Sequence, residues 1–507
     1  MKIKKHFVLV LGMLIHLSCT FTIPDYGTVS QQPTIDPDYR DILLPPNIAP
    51  LNFIIKEEGE AYKVIFSADQ KRIEVNSRNG TIQIPIKKWR KFLKAASGAS
   101  CTLDIFVKKG RNHWEKYKTI TNRVASQPID SHVVFRLINP GYVLWWDLGI
   151  YQRDLTTFRQ SAVLSNRLTK QNCMNCHAFC LNNPNSMMLH MRAQLGGTML
   201  IQNGEIKKMN TGTPYTMSAG VYPAWHPGGK HIAFSVNKIF QNFHAHADKS
   251  TYVYDTASDL VIYDIEKNQI TTSPKVSTKR LENLPTWDPN GKDLYFISAP
   301  EFVNNSGYDT IRYDLMRTTY DINTNEWGKV RPVLTAEATG QSITFPKVSP
   351  KGRFLMFTMS EHGYFTIYTR SSDLWLYDLT QNHYRKLEVN SDDVDSYHSW
   401  SSDGKWFVFA SKRKDGLCAR LYFSYLDEQG HASKPFLLPQ KNPRYYETYL
   451  LNYNVPELIT GPVRAGHWDI AQRAYLDPTP AAFDSTVQVD ALSGATRIKP
   501  DESRPYL

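Results

Sequence analysis

The sequence predicts a mainly β protein: an N-terminal immunoglobulin-like β-sandwich, a short helical segment and then a β-propeller. Residues 50–125 alternate between polar and apolar positions and contain turn signals such as Arg78-Asn79-Gly80, a pattern that favours a small antiparallel sandwich. After residue 196 one strand-and-turn template recurs four times, as a propeller requires. Between these regions lies a linker, 126–195, in which residues 171–180 contain three of the chain's six cysteines.

The first residues have the pattern of a secretory signal. Three lysines among the first five residues precede an apolar run, 7–17, that is too short to span a bilayer. Leu17-Ser18-Cys19 then resembles the lipobox of bacterial lipoproteins, although His16 stands where Leu or Val is usual. The resemblance implies a signal peptide at 1–18, lipidation of Cys19 and a cell-envelope protein anchored to the outer membrane and facing the periplasm. The alternative is ordinary cleavage that leaves Cys19 incidental.

The charge and composition of the rest of the chain narrow its partners. Residues 19–49 carry scattered prolines and little periodicity, which predicts a tether between the lipid anchor and the body. The formal charge of +11 (59 − 48) falls to +8 when the three lysines of the signal peptide are removed. Nucleic acid is not an expected partner of an exported protein with this charge. The basic run 87–94, "KKWRKFLK", is interpreted as one solvated face, the alternative being a docking patch for an acidic partner.

The repeats predict four-stranded blades. Their copies are "YPAWHPGGKHIAFS" (222–235), "LPTWDPNGKDLYFIS" (284–298), "FPKVSPKGRFLMFTM" (345–359) and "HSWSSDGKWFVFAS" (398–411). Each copy has a turn that closes on glycine, at Gly229, Gly291, Gly352 and Gly404, and three copies carry a tryptophan that we expect in the core, namely Trp225, Trp287 and Trp400. A second apolar hairpin follows in each of the first three, so each repeat supplies two hairpins. We expect a fifth or sixth blade from 196–210 paired with the region after 433–439.

This template, W-x-P-x-G-K followed by an apolar strand, resembles the propeller repeats of TolB-like, WD-repeat-like bacterial proteins. The resemblance covers about half of the chain and implies a propeller over residues 196–455. Together with the lipobox-like start, it makes the chain similar to exported bacterial lipoproteins that carry such repeats. It implies little about activity, because propellers serve enzymes and scaffolds alike.

The sequence Cys173-Met174-Asn175-Cys176-His177 is the C-x-x-C-H attachment motif of c-type cytochromes. Two thiols three residues apart on one helical turn can add to the two vinyl groups of haem, and the adjacent His177 can then bind the iron as proximal ligand. Export supports this interpretation independently, because haem is attached to such proteins outside the cytoplasm. With the lipobox-like start and the TolB-like repeats, this motif makes the chain similar to exported bacterial lipoproteins that join such repeats to a c-type haem segment. The sequence therefore predicts one covalent haem c, held by Cys173, Cys176 and His177.

Other interpretations of the cysteine cluster stay open. Cys173, Cys176, Cys180 and a histidine could hold a structural metal such as zinc, and a disulfide is a further alternative. If haem is bound, Cys180 either pairs with Cys101 or Cys418 or packs against the porphyrin.

A sixth iron ligand is expected on a short helix, 187–195, because Ser186 can cap its start and Gly196-Gly197 can end it. On this helix Met187, His190 and Met191 share a face. His190 or Met191 is the favoured ligand and Met187 a weaker one, the alternative being that the face only packs over the porphyrin. More remote candidates are His226, His244, His246 and His398.

The sequence thus predicts a membrane-tethered, extracytoplasmic monohaem c-type cytochrome whose propeller docks an unnamed redox partner in electron transfer. One alternative is a haem-dependent oxidoreductase with an open iron. Another is a TolB-like protein-interaction scaffold without haem, in which a structural metal or a disulfide cross-links the cysteine cluster. We find no serine nucleophile elbow, phosphate loop or H-E-x-x-H motif. The tail, 456–507, has weak periodicity and either wraps the body or stays mobile.

Overall fold

A computed structural model describes residues 23, 25–110, 113–140, 147–242, 252–303 and 307–492, and describes only the backbone of Cys176 and Asn242. The signal peptide and the lipidation of Cys19 lie outside the described residues. The described chain is mainly β-structure, as the sequence predicts. No helix within it is long and apolar enough to cross a membrane.

The N-terminal unit consists of a seven-stranded sheet, a three-stranded sheet and one helix. The elements are β1 Tyr26–Thr28, β2 Ile35–Asp36, β3 Leu43–Leu44, β4 Phe53–Ile55, β5 Ala61–Ala68, β6 Lys71–Ser77, β7 Thr81–Ile82, α1 Ile86–Ala96, β8 Ser100–Gly110, β9 His113–Lys116 and β10 Ile120–Val124. The Phe66 ring lies 5.8 Å from that of Trp89 on α1 and 6.5 Å from that of Phe53 in the small sheet. Helix and small sheet therefore cover one face of the large sheet.

The basic run 87–94 lies within α1, an amphipathic helix that the sequence did not indicate. Trp89, Phe92 and Leu93 are buried, whereas the lysines of the run are exposed. Apolar residues spaced three and four apart bury one stripe of a helix and leave the basic residues in water. The run is thus a solvated face.

Six further sheets form the blades of a propeller. In chain order their strands are β11 His132–Ile138, β12 Gly149–Asp154 and β13 Gln160–Ser165 in blade 1; β14 Met174–Phe179, β15 Ser186–Met191, β16 Gly197–Gln202 and β17 Glu205–Asn210 in blade 2; β18 Val221–Trp225, β19 His231–Asn242, β20 Tyr252–Asp264 and β21 Gln269–Thr271 in blade 3; β22 Leu281–Trp287, β23 Asp293–Ala299, β24 Asp314–Asp321, β25 Glu326–Trp327 and β26 Arg331–Leu334 in blade 4.

After a short helix, α2 (Ala336–Thr339), the chain forms the last two blades and then returns to the first. Blade 5 contains β27 Ser342–Val348, β28 Phe354–Ser360, β29 Asp373–Asp378 and β30 His383–Lys386; blade 6 contains β31 Asp395–Trp400, β32 Trp406–Ser411, β33 Arg420–Tyr425 and β34 Phe436–Leu437. A short helix, α3 (Tyr445–Thr448), leads to β35 (Asn452–Ile459), which pairs antiparallel with β11 and completes blade 1. Each inner strand contacts the inner strands of both neighbouring blades, so the ring is closed.

The domain boundaries in the structure differ from those predicted from the sequence. Residues 126–195, expected to be a linker with a haem segment, supply three strands of blade 1 and two of blade 2. Residues 197–210 form β16 and β17 of blade 2, where β16 pairs with β15, and only the end of β17, at Met209 and Asn210, pairs with the region after 439, at Thr479 and Pro480. Closing a blade with strands from distant parts of the chain removes an exposed sheet edge.

The expected helix at 187–195 is wrong, and so is the helical turn at the cysteine motif. Residues Ser186–Met191 form β15, a short 3₁₀ turn follows at Ala193–Leu195, and Met174–Phe179 form β14. Five of the six β15 residues are buried. A strand packed between two neighbouring blades is apolar on both faces and loses the alternation that identifies strands in sequence.

The repeat residues have the predicted structural roles. Gly229, Gly291, Gly352 and Gly404 have φ between 69° and 72°, which favours glycine. Trp225, Trp287 and Trp400 are buried, and each indole N–H donates to a carbonyl of the preceding blade: Trp225 to Ala178 at 3.2 Å, Trp287 to Ala224 at 3.2 Å and Trp400 to Lys347 at 3.0 Å. One hydrogen bond thus joins neighbouring blades at equivalent positions.

The two ends of the chain cover the outside of the ring. The N-terminal unit packs on blade 6, where the Tyr39 hydroxyl donates to the Leu437 carbonyl at 3.2 Å. The described part of the tail wraps blades 2 and 3: α4 (His467–Ala474) is followed by β36 (Thr479–Pro480), parallel to β17, and by β37 (Ala482–Phe483), parallel to β21.

Candidate functional site

The six inner strands share a bulge near their middle, and the cysteine motif occupies one of them. Each inner strand shifts its register there against the next strand. In five blades the bulge begins with a residue at φ between 46° and 50° followed by proline or histidine: Tyr222-Pro223, Leu284-Pro285, Phe345-Pro346, Tyr397-His398 and Val455-Pro456. In blade 2 the equivalent pair is Cys176-His177. The haem-attachment motif therefore stands at a position that the other blades fill with X-Pro or X-His.

These bulges surround a cavity at the centre of the ring. It encloses about 1230 Å³ of space free of atoms, part of it open to solvent, and every blade contributes to its wall. The wall residues divide into two arcs by chemistry. The polar arc, from blades 5, 6, 1 and 2, contains Lys347, His398, Ser399, Arg136, Glu457, Cys173, Asn175, His177 and Arg192, and the apolar arc, mostly from blades 3, 4 and 5, contains Tyr222, Pro223, Ile239, Val253, Leu284, Pro285, Phe345 and Phe365.

His177 is the central group of the polar arc. Its side chain lies in the wall of the cavity, is 3% exposed, and has an Nε2 atom without a hydrogen-bond partner in the described structure. A hydrogen bond to the backbone of Val455 acts to raise the pKa of the ring. Burial, reinforced by the charges of Arg136 and Lys347, lowers the pKa of His177 to about 3. The ring is thus neutral at physiological pH, and its buried Nε2 is available, as in a metal-binding histidine.

Cys173 joins His177 at the same cavity. It precedes β14, is half-buried and lies in the cavity wall. The Cys176 side chain lies outside the described structure, although its backbone places it in the bulge, directly before His177. The strand thus brings the first thiol and the imidazole of the motif to one wall without a helical turn.

Cys180 and the two remaining described cysteines stand elsewhere. Cys180 is buried between blades 2 and 3, where its thiol donates to the His226 carbonyl at 3.8 Å. Cys101 is buried in β8, and the Cys418 thiol donates to the Leu450 carbonyl at 3.4 Å. None of these three forms a disulfide. Among the described side chains, no three His, Cys, Asp or Glu groups converge as metal ligands.

The expected sixth ligands on β15, namely Met187, His190 and Met191, do not line the cavity, whereas the remote candidate His398 does. Met187 and Met191 are fully buried in an apolar cluster between blades 1 and 2. His190 is buried as well, and its Nδ1 lies 3.2 Å from the Thr198 hydroxyl. Of the remote histidines, His226 bonds to the Gly291 carbonyl at 2.9 Å, and His244 and His246 lie outside the described residues.

His398 is the second histidine of the cavity wall. It is 3% exposed, and its Nε2 lies 3.0 Å from the Met356 carbonyl. Since a carbonyl can only accept, Nε2 carries the proton and Nδ1 keeps a lone pair. That Nδ1 is buried without a partner among the described groups. Burial lowers the pKa of His398 to about 3, so this ring is neutral too.

The polar arc carries an excess of positive charge that sequence patterns did not reveal. Arg136 is 9% exposed, and Arg136, Arg192 and Lys347 form no ion pair among the described side chains. The one acid in the wall, Glu457, accepts a hydrogen bond from the Phe179 backbone at 3.1 Å, and burial raises its pKa to about 7. Aligning "NCHAF" with "VYPAW" and "NVPEL" is the signal that could have found this ring of equivalent positions. The arrangement can hold a largely apolar molecule with acidic groups.

Comparisons with known proteins identify no family for the chain. No family model matches the chain, and no curated protein matches it. Among solved structures, an oligogalacturonate lyase in complex with manganese is similar at 13% identity and a TM-score of 0.34, over 60% of this chain and 73% of that one. The Dos1 propeller matches at 14% identity and a TM-score of 0.28, over 45% and 64% of the two chains. The Swd1 propeller domain of Myceliophteria thermophila matches at 9% identity and 0.31, over 52% and 70%.

Likeness at this level carries no information on substrate or mechanism. The β-propeller class follows from the six closed sheets of the chain itself.

Proposed function

We propose that the protein is a monohaem c-type cytochrome whose haem occupies the central cavity of the propeller. Cys173 and Cys176 would form the two thioether bonds and His177 Nε2 would bind the iron. The observation that carries this proposal is the buried Nε2 of His177, which has no described partner although Cys173 lines the same wall. A buried polar atom without a partner costs about 1–3 kcal/mol, and a bound metal would remove that cost.

The cavity wall fits such a group. Tyr222, Leu284, Phe345 and their proline neighbours offer an apolar surface to a porphyrin face. Arg136 and Arg192, from the blades nearest the cysteine motif, would neutralise the two propionates, since guanidinium groups pair with carboxylates. When bound, haem supplies a one-electron iron couple. The protein's part is to hold the imidazole neutral and oriented through Val455 and to limit the access of water.

Electron transfer is the proposed role of this haem. The proposal includes a lipid anchor at Cys19, attachment to the outer membrane facing the periplasm, and a propeller that docks an exported redox partner. Support comes from the signal-like start and the lipobox resemblance. A tethered protein meets its partners at a raised local concentration, which suits transient electron-transfer contacts.

A second candidate is a haem-dependent oxidoreductase with an open iron. One observation favours it: Met187, His190 and Met191, the expected sixth ligands, do not belong to the cavity wall. An open position would leave the polar arc in contact with whatever binds the iron. The spin state of the iron in the resting protein separates the two candidates.

Both candidate functions require a haem attached covalently to Cys173 and Cys176, so a test for covalent haem addresses both. The protein is expressed with a signal sequence in a host that matures c-type cytochromes, and a denaturing gel is stained for haem peroxidase activity. We expect a haem band in the wild type that is absent in Cys173→Ala/Cys176→Ala. Cys180→Ala is the matched control, because this buried thiol does not line the cavity, and it should keep the band. A folded wild type without haem overturns the proposal and leaves the interaction scaffold.

A further inference from the structure

The solvated side of α1 is basic from its first turn to its last. Its charged residues are all cations, and all are exposed: Lys87, Lys88, Arg90, Lys91 and Lys94. At about 100° per residue they fall within an arc of about 160°, opposite the buried Trp89 and Phe92. This surface is called the basic face of α1. It accounts for five of the net charge of +8 (11 − 3) that is left once the signal peptide is removed.

No acid among the described residues neutralises the basic face of α1. Other lysines of the N-terminal unit have carboxylate partners, as Lys116 has Asp104 at 2.9 Å. In the described structure the four lysines of α1 form no ion pair, and Arg90 donates to a neutral partner, the Thr156 carbonyl, at 3.0 Å. The charge of this face is therefore uncompensated within the described chain.

The same charges weaken the helix that carries them. Lys91 lies four residues after Lys87 and three before Lys94, so like charges stand on neighbouring turns, which destabilises a helix. Lys87 and Lys88 lie in the first turn, where the helix dipole disfavours cations and no acid is present. Neutral polar residues would stay in water equally well. A basic face that costs helix stability favours a role in binding an anionic surface.

The start of the chain brings this unit close to the proposed lipid anchor. Residues 25–49 lie within the N-terminal unit, where Tyr39 and Leu44 are buried. Six residue steps (25 − 19) separate Cys19 from Asp25, and they span at most about 22 Å. β1 follows directly, and β5, which α1 covers, is three strands from β1, or about 14 Å. A lipid on Cys19 would therefore hold α1 close to the membrane surface.

We propose that the basic face of α1 docks on the anionic phospholipids of the membrane that anchors the protein. The inference rests on the lipid anchor of the proposed function and adds to it an electrostatic contact with the same membrane. An anionic membrane surface attracts lysine and arginine within a Debye length, about 8–10 Å at moderate salt. The anchor limits the distance of the body from the membrane, and the basic face determines which side of the body faces it.

Vesicle binding by the chain without its lipid tests this contact. Residues 20–507 are exported with a cleavable signal in the same host, so that no acyl chain masks the contact. The protein is mixed with vesicles of phosphatidylcholine, either alone or with about one-third phosphatidylglycerol, and bound protein is measured by sedimentation. We expect binding to the anionic vesicles alone, and loss of this binding as the salt concentration rises from about 0.05 M to about 0.5 M.

Two variants with the same loss of charge separate the basic face from the total charge. The first has glutamine in place of Lys87, Lys88, Lys91 and Lys94. Its dissociation constant for anionic vesicles should rise about 25-fold to 600-fold, because a lysine near such a surface contributes about fivefold and two to four of them would reach it. The control has glutamine in place of four exposed lysines in or next to blades 3 and 4, across the ring from blade 6: Lys238, Lys279, Lys292 and Lys329. Its affinity should stay within about threefold of the wild type, because salt screens distant charges.

Three results would overturn the inference: equal binding by the wild type and the α1 glutamine variant, equal binding to neutral and anionic vesicles, and no binding to either at low salt. The last is expected if the face serves an acidic protein. Arginine in place of the same four lysines of α1 keeps the charge and should retain wild-type binding. The anchor is tested separately by the mass of the protein exported with its own signal. A mass without acyl chains overturns the anchor of the proposed function, whereas the vesicle result decides the basic face.

Discussion

His177 and His398 occupy equivalent positions in blades 2 and 6, with blade 1 between them. Both follow the first residue of the inner-strand bulge, both line the central cavity, and each has one buried ring nitrogen without a described partner. The other four blades have proline at this position. Proline has no side-chain polar group, so the two histidines are the departures from the repeat that add chemistry to the cavity.

The first prediction concerns His398→Pro. Proline suits this backbone position, because Tyr397 has the same left-handed φ as the residues that precede proline in the other blades. We expect the variant to fold, with a loss of about 1 kcal/mol from the broken bond to Met356. Covalent haem and the resting absorption spectrum should be unchanged. A change from low-spin to high-spin absorption would contradict this prediction and show that His398 binds the iron.

The second prediction concerns the sixth-ligand candidates on β15. His190→Gln and Met191→Leu should leave the absorption spectrum and the midpoint potential of the haem at wild-type values, because neither side chain lines the cavity. Both replacements conserve size, so the core should stay packed. Spectroelectrochemical titration of the two variants beside the wild type checks this. A shifted potential together with a changed spin state in either variant would restore that residue as a ligand.

The third prediction concerns the bond between blades 2 and 3. Trp225→Phe removes the indole donor and leaves the buried Ala178 carbonyl unpaired, which should cost about 1–3 kcal/mol. The midpoint of urea unfolding should fall accordingly. Trp287→Phe breaks the equivalent bond to Ala224 and should have a similar effect. An unchanged midpoint in both variants would mean that these bonds do not hold the blades together.

The fourth prediction concerns Glu282, which is 3% exposed in blade 4 and accepts hydrogen bonds from Thr278. Burial, with a contribution from Asp259, raises its pKa from 4.5 to about 8. Because the unfolded chain releases this proton more easily than the folded one, stability is full below pH 4.5 and declines as the pH rises to about 8.

Glu282→Gln removes this titration. The variant should gain about 1–3 kcal/mol relative to the wild type between pH 5 and pH 8.5, measured as the difference in thermal or urea midpoints. Glu205→Gln, a replacement of an exposed glutamate, serves as control and should show no such gain. A constant difference between Glu282→Gln and the wild type across this range would show that Glu282 does not titrate there.

Local patterns in the sequence were sufficient to find four of the six blades. A glycine at each turn and a tryptophan at the end of an inner strand have local causes, a positive φ and a bond to the preceding blade, so Gly291 and Trp287 could be assigned directly. Blade 2 was not recognised from the repeat pattern, because Phe179 and Cys180 stand where the pattern has a tryptophan and a turn residue. The cysteine motif was therefore given the helical turn that is typical of it elsewhere.

The cavity could not be predicted, because it exists only after six distant strands meet. Glu457 and Arg136 are neighbours through the pairing of β35 with β11, which are more than 300 residues apart in the chain. Nothing local distinguishes Lys347 from a surface lysine until its strand becomes the inner strand of a blade. The motif is the basis of the chemistry proposed for the site, and the closed ring determined which residues surround it.

The intact mass of the mature protein under denaturing conditions tests the central claim most directly. For protein matured in a c-type cytochrome host, the account predicts a mass increase of one haem. It predicts that this increase maps to the proteolytic fragment that contains Cys173 and Cys176, and that it disappears when both are replaced by alanine. A correctly folded protein whose denatured mass is that of the polypeptide and its lipid alone would contradict the account.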